Sequence, residues 1–236
     1  MKKIEIKQTI SFSQFDEQQV RRMFGLTQEI KENLLADWEI EAKKTIIETE
    51  EQVILERLNK KLQLFVRGWN EEELKIKFIG PLIELVDFDN YDLEVVSFSE
   101  RPLKYQFQEN IEIKGMVDLM VARGISQPEQ PFFFIHEYKR EQMGSGDPVG
   151  QLLATMFVAN ELNKEPKPFT LFEDKLKNLD NSILDGVYVL GRFWFFTRLQ
   201  EQKYYISKSY DSLEREDLQH IFKMLKAKKR MILKAF

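Results

Sequence analysis

The chain has 236 residues, of which 43% are hydrophobic and 31% charged, and its formal net charge is −4. This apolar content is enough for a folded core, and the negative charge counts mildly against a module that only binds nucleic acid. With no cysteine and two histidines, disulfides, thiolate zinc sites and cysteine nucleophiles are excluded, and any metal must have mainly oxygen ligands.

The N-terminal segment reaches Glu5 too early for a secretory signal peptide. No apolar run approaches the roughly 20 residues that are needed to span a bilayer. A soluble cytoplasmic protein that does not bind membranes is therefore expected.

The first part of the chain, residues 14–88, has a helical pattern. Apolar residues recur at spacings of three and four between Val53 and Trp69, which predicts a helix that packs on a core or on a partner. Asn70 followed by three glutamates is typical of a helix start, and Pro81 is expected to kink or break the next helix. Residues 1–73 are interpreted as a helical arm, through which the chain could form a homodimer.

Strand-like patterns begin near Tyr91. The predicted strands of this part are 93–98, 103–113, 116–122 and 132–138, with Gly115 as a break. A turn rich in glycine and proline is predicted between the last two of them.

The remaining elements are a helix, further strands and a closing helix. Asp147 as the N-cap and Pro148 at the first helical position predict a helix over residues 149–162. Strands are predicted over 183–190, 193–199 and 204–207, and a last helix from Leu213 onwards. This order predicts a mixed α/β protein, and residues 74–236 are interpreted as one sheet-containing domain.

The last helix carries a run of basic residues with no acid between them: Lys223, Lys226, Lys228, Lys229, Arg230 and Lys234. Such a run can follow a phosphate backbone. It also suits the C-terminal end of a helix, where positive charge is favourable.

The triplet Glu137-Tyr138-Lys139 is the strongest candidate for chemistry. Acid-x-lysine triplets occur elsewhere in this charged chain, so the pattern alone carries little weight. This triplet ends a strand that is apolar on both faces, where charged residues are rarely placed without partners. On a strand, the side chains of Glu137 and Lys139 point to the same face.

Asp118 interrupts the preceding apolar strand. If the two strands form a hairpin with its centre near residue 127, Asp118 and Glu137 lie side by side. Two adjacent carboxylates repel each other unless a cation neutralises them. Magnesium needs only one or two carboxylates together with water and substrate phosphate, and the nearby Lys139 could help to deprotonate the attacking water.

These residues resemble the PD-(D/E)XK nuclease superfamily. The resemblance covers roughly residues 74–200 and implies a restriction-endonuclease-like core of a helix, three antiparallel strands, a helix and a further strand. It implies a Mg²⁺ or Mn²⁺ site formed by the side chains of Asp118 and Glu137 and the carbonyl of Tyr138. It also implies that Lys139 acts on the water and that the enzyme is a nuclease, with DNA as the expected substrate.

Two further positions follow from the resemblance. Glu84 matches a glutamate of the first core helix that faces the metal, and Gln151 matches a glutamine near the start of the helix after the lysine. The recombination-exonuclease branch has a tyrosine four residues after that glutamine, where this chain has Thr155. The family's proline before the first aspartate is replaced by Val117.

Other hypotheses remain open from the sequence. The three charged residues could form a structural ion-pair cluster at a sheet edge. The protein could also be a catalytically inactive member of the fold that binds nucleic acid or another protein.

Overall fold

A computed structural model describes residues 8–139, 146–165 and 182–236. Within these ranges the chain is a mixed α/β protein, with a nine-stranded sheet and helices that pack on it. The strands are β1 (Gln8–Ser11), β2 (Thr27–Gln28), β3 (Val95–Gln108), β4 (Ile111–Arg123), β5 (Glu129–Lys139), β6 (Ile183–Leu190), β7 (Phe193–Gln200), β8 (Lys203–Ile206) and β9 (Tyr210–Asp211).

The helices lie mainly before β3 and after β5. They are α1 (Glu17–Phe24), α2 (Ala36–Lys43), α3 (Thr49–Phe65), α4 (Glu71–Leu74), α5 (Gly80–Val86), α6 (Pro148–Lys164) and α7 (Arg215–Leu233). A π-helical segment, Lys75–Ile79, joins α4 to α5. None of the helices in the described ranges is both long and apolar enough to cross a membrane.

The sequence predicted several of these elements well. Helix α6 begins as expected, because the Asp147 side chain accepts a hydrogen bond from Val149 N at 3.0 Å and Pro148 occupies the first turn. The pairing of β6 with β7, strand β8 and the closing helix α7 are also confirmed. Each of these elements has a clear local signal of periodicity or capping.

Two predictions for the region before Asp118 are wrong. Residues 103–113 do not form one strand, because the chain turns at residues 109–110 between the long antiparallel strands β3 and β4. Gly115 lies inside β4 instead of ending a strand. A Cβ atom on Gly115 would lie 2.5 Å from Cδ2 of Phe12, so glycine is needed for this close packing.

The predicted helical arm, residues 1–73, contributes two short strands as well. Strand β1 pairs in parallel with residues 111–114 of β4, and β2 pairs in parallel with β8. Strands of four and two residues are too short to produce a recognisable period. Their formation depends on the long-range pairing with β4 and β8.

Strand β4 is the branch point of the sheet. Strand β3 pairs along one edge of β4, whereas the other edge is shared by β1 at residues 111–114 and β5 at residues 119–123. Residues 115–118 of β4 therefore lie in the gap between the end of β1 and the end of the β5 pairing. Asp118 is in this gap.

Apolar side chains pack on both faces of the sheet. One core contains residues of α2, α3, α5 and α7, and the other contains residues of α1 and α6. Trp38 of α2 shows how the N-terminal helices join the first core. Its ring packs edge-on against Phe134 and Phe196, and its indole N–H donates to Met224 O at 2.6 Å.

The basic residues of α7 mostly bind partners within the protein. Side-chain contacts join Lys226 to Glu51, Lys228 to Asp185, Lys229 to Asp87, Arg230 to Thr45 and Lys234 to Glu41. Most of these partners lie on or beside the N-terminal helices. This run of positive charge therefore helps to attach α7 to the rest of the fold.

Candidate metal centre

The site is built where β4 and β5 separate. Their antiparallel register pairs Met120 with Ile135 and Leu119 with His136. One residue further in the same register, Asp118 lies opposite Glu137. The sequence predicted this arrangement from the spacing of the two acids around the turn.

The side chain of Asp118 extends the hydrogen bonding between β4 and β5 beyond the last backbone pair, Leu119 with His136. Its Oδ2 atom accepts a hydrogen bond from the backbone N–H of Tyr138 at 2.8 Å. The carboxylate thus replaces a backbone partner for β5 at the end of the paired region, which fixes its position relative to Glu137 and Tyr138.

Glu137 is fully buried beneath α6. Gln151 Nε2 donates to Glu137 Oε2 at 2.7 Å, and Thr155 Oγ1 lies 3.4 Å from Oε1. The structure therefore brings the predicted residue Gln151 into contact with Glu137. It also brings in Thr155, because positions four residues apart share one face of a helix.

The electrostatics of Glu137 are unfavourable for a bare carboxylate. Burial raises the pKa of Glu137 well above its usual range, and the charge of Asp118 raises it further, while Lys139 acts in the opposite direction. The hydrogen-bond donors from α6 are neutral. A bound cation would compensate for both the burial and the repulsion.

Lys139 shares the face of β5 with Glu137, as predicted. Its Nζ atom donates to the carbonyl of Tyr138 at 3.2 Å. The ammonium group is therefore held beside the carbonyl that the resemblance assigns to the metal. His136 points to the opposite face, where it lies 3.0 Å from the Tyr138 hydroxyl and burial lowers its pKa to about 3.

The sequence did not indicate Lys75 as part of the site. Lys75 Nζ lies 2.8 Å from Asp118 Oδ1 and 3.4 Å from Glu71 Oε1. Burial lowers the pKa of Lys75, but the hydrogen bond to Asp118 and the charges of Asp118 and Glu71 outweigh this effect and raise it overall. Lys75 and Asp118 are 43 residues apart in the chain, so no local pattern could have linked them.

Glu84 is not brought to this cluster by a described contact. It is exposed on α5, whose residues Leu82, Ile83 and Val86 are buried instead. Within the described ranges, Glu84 forms no hydrogen bond or ion pair with Asp118 or Glu137. Its assignment as a metal ligand stays a prediction.

The donor atoms suit a hard divalent cation. They comprise a partly buried carboxylate on Asp118, a fully buried one on Glu137 and the carbonyl of Tyr138. The part of the chain that the structure describes contains no group of three or more acidic or histidine side chains arranged to hold a metal. Two carboxylates and a carbonyl are nevertheless a ligand set that magnesium or manganese can use when water and phosphate complete it.

Comparisons with known proteins do not identify a family for this chain. A scan against protein-family models finds no match, and a search of curated proteins finds no significant similarity.

The raised pKa of Glu137 leads to a prediction for stability. A carboxyl whose pKa is raised by folding contributes no destabilisation below its unfolded pKa near 4.5, and it opposes folding increasingly as the pH rises toward its folded pKa. Without metal, Glu137→Gln is expected to be more stable than the wild type by about 1–2 kcal/mol near neutral pH. The advantage should grow as the pH rises from the unfolded pKa near 4.5 toward the raised folded pKa.

Urea denaturation in the presence of a chelator, at several pH values, would measure this difference. The exposed acid Glu84 offers a matched control, and Glu84→Gln should change stability little at any pH. If the free energies of unfolding of the wild type and Glu137→Gln differ by the same amount at every pH, folding does not raise the pKa of Glu137.

Proposed function

We propose that the protein is a metal-dependent nuclease of the PD-(D/E)XK type that hydrolyses phosphodiester bonds in DNA. The observation that carries this proposal is the pairing of Asp118 with the buried Glu137, with Lys139 on the same face of β5. A structural ion pair would not require a fully buried glutamate beside a second carboxylate.

The order of elements supports a restriction-endonuclease-like core. Helices α4 and α5 precede the antiparallel strands β3, β4 and β5, and α6 then leads to β6, which pairs in parallel with β5. This is the order of helix, three strands, helix and strand that the resemblance implies. The candidate site lies on the middle strands of this core.

Asp118, Glu137 and the Tyr138 carbonyl would hold a Mg²⁺ or Mn²⁺ ion. When bound, the cation would polarise the phosphoryl group and make a neighbouring water more acidic. Asp118 is oriented for this role by the Tyr138 N–H, and Glu137 is oriented by Gln151. Gln151 therefore acts as a positioning residue.

Lys139 has two functions in this proposal. Its ammonium group lies next to the ligand carbonyl, where it can orient the attacking water and assist removal of its proton. Its positive charge also stabilises the negative charge that develops on the phosphoryl oxygens.

One basic residue next to the site in the strand register supports a polyanionic substrate. Arg101 on β3 is the register partner of Val117, the residue before Asp118 on β4. Phosphate contacts of this kind position a nucleic acid without reading its sequence.

Substitution of Lys139 tests the catalytic part of the proposal. We expect the wild type to cleave plasmid or single-stranded DNA with Mn²⁺, and Lys139→Met to cleave about 10²-fold more slowly, because a positioned proton-transfer group contributes at least this factor. Lys203→Met is a matched control, since Lys203 is exposed on β8 and pairs with Glu29. Its cleavage rate should equal that of the wild type.

Two outcomes would contradict the proposal: no cleavage by the wild type, or equal rates for wild type and Lys139→Met. Binding of DNA without cleavage, together with no binding of Mn²⁺, would instead favour the alternative of an inactive nucleic-acid-binding protein.

A further inference from the structure

The ammonium group of Lys75 lies among four carboxylates. Its Nζ atom is 2.8 Å from Asp118, 3.3 Å from Glu100, 3.4 Å from Glu71 and 3.6 Å from Glu72. The side chains of Lys75 and Asp118 are only 16% and 13% exposed, whereas those of Glu72 and Glu100 are more than half exposed. Lys75 therefore has one sheltered partner at the site and three alternative partners closer to solvent.

Two unusual backbone features converge on this ion pair. Lys75 begins the π-helical segment between α4 and α5. Such turns are rare in proteins overall, but many of those that occur lie at functional sites. Glu100 lies within β3 opposite Asp118 and has a left-handed φ of 51°, which is uncommon for a residue other than glycine. Such irregularities persist where the surrounding structure requires them.

Each oxygen of the Asp118 carboxylate accepts one hydrogen bond in this arrangement. Lys75 binds Oδ1, and the Tyr138 N–H binds Oδ2. A divalent cation that binds Asp118 from the open side would meet the positive charge of Lys75 at close range, where like charges repel strongly. The cation and Lys75 therefore compete for the negative charge of the same carboxylate.

We propose that Lys75 is an internal counter-ion that occupies Asp118 when no divalent cation is bound and transfers to Glu71, Glu72 and Glu100 when one binds. The proposal rests on the proposed function, because it takes Asp118 as the metal ligand. The transfer needs only a side-chain rotation, since all four carboxylates lie around the same nitrogen. Lys75 thereby weakens metal binding and sets the cation concentration at which the site fills.

Calorimetric titration of Mn²⁺ into the metal-free protein tests this role without relying on activity. We expect Lys75→Met to bind Mn²⁺ about tenfold more tightly than the wild type, because one competing positive charge has been removed. Lys75→Gln should show the same gain, and it serves if the methionine variant does not fold. Lys75→Arg keeps the charge and should retain the affinity of the wild type.

Lys77→Met is the matched control. Lys77 belongs to the same π-helical segment, but it pairs with Glu73 and lies over the ring of Trp69. Its removal changes the net charge by the same amount and should leave the affinity for Mn²⁺ unchanged. A gain in Lys77→Met as large as in Lys75→Met would show a general charge effect and overturn the proposal.

The remaining outcomes separate the two proposals. If the wild type binds Mn²⁺ and Lys75→Met binds it equally or more weakly, the role of Lys75 is overturned while the metal site stands. If neither protein binds Mn²⁺, both the metal site and the role of Lys75 are overturned.

Discussion

For the proposed nuclease, Asp118→Asn is expected to abolish detectable binding of Mn²⁺ and to slow DNA cleavage by about 10³-fold or more. A catalytic cation contributes several kcal/mol of transition-state stabilisation, and each 1.4 kcal/mol corresponds to a factor of about ten. Asparagine has nearly the same shape, and its carbonyl oxygen can still accept the hydrogen bond from Tyr138 N. The substitution therefore removes the charge that a cation requires while it keeps the contact between β4 and β5.

Calorimetry with Mn²⁺ and a plasmid cleavage assay on the same preparation would measure both effects. Asp92→Asn is a suitable control, because Asp92 is exposed in the turn before β3 and loses the same charge. It should bind metal and cleave DNA as the wild type does. If Asp118→Asn binds Mn²⁺ with the affinity of the wild type, Asp118 is not a metal ligand, whatever the cleavage rate.

A second large effect is expected at Asp185, in the interior of the protein. Asp185 on β6 is fully buried, and its carboxylate accepts hydrogen bonds from Arg198 Nε at 2.6 Å and Lys228 Nζ at 2.8 Å. Burial alone would raise the pKa of Asp185, but the charges of Lys228 and Arg198 outweigh it, so the pKa is lowered. Asp185→Ala should lower the free energy of unfolding by about 3–5 kcal/mol, because it leaves two buried cations without their shared partner.

Asp37 provides a control that involves the same arginine. Its carboxylate contacts Arg198 Nη1 at 2.6 Å, but the side chain is 55% exposed. Asp37→Ala should cost at most about 1 kcal/mol, since exposed ion pairs contribute little. Urea denaturation would measure both variants, and a loss for Asp185→Ala of about 1 kcal/mol or less would show that the network around Asp185 does not stabilise the junction of β6, β7 and α7.

The buried carboxyls of Asp185 and Glu137 differ in the charges of the side chains around them. At Asp185, one buried acid is matched by two basic side chains, so the group contributes to stability. At Glu137, the buried acid has neutral donors from α6 and a second acid beside it, and its pKa stays raised although Lys139 acts in the opposite direction. A buried carboxyl that is expected to lower the stability of the metal-free protein is more readily explained by a ligand than by folding.

The sequence by itself determined the parts of this protein that depend on local patterns. Helix α6 follows from its Asp147–Pro148 start, and β6 and β7 follow from two apolar runs joined by a short turn. The juxtaposition of Asp118 and Glu137 could also be predicted, because the two acids are almost equally distant from the turn, and the two register shifts near Ala122 leave them opposite each other.

Only the tertiary structure decided the features that depend on distant segments. Strand β1 forms because it pairs with β4, and Gly115 is needed because Phe12 packs against it. The contact of Lys75 with Asp118 joins a helix to a strand 43 residues away. Periodicity and capping reflect the position of a residue within its own helix or strand. These contacts depend instead on how helices and strands pack against each other, which a local sequence pattern does not predict.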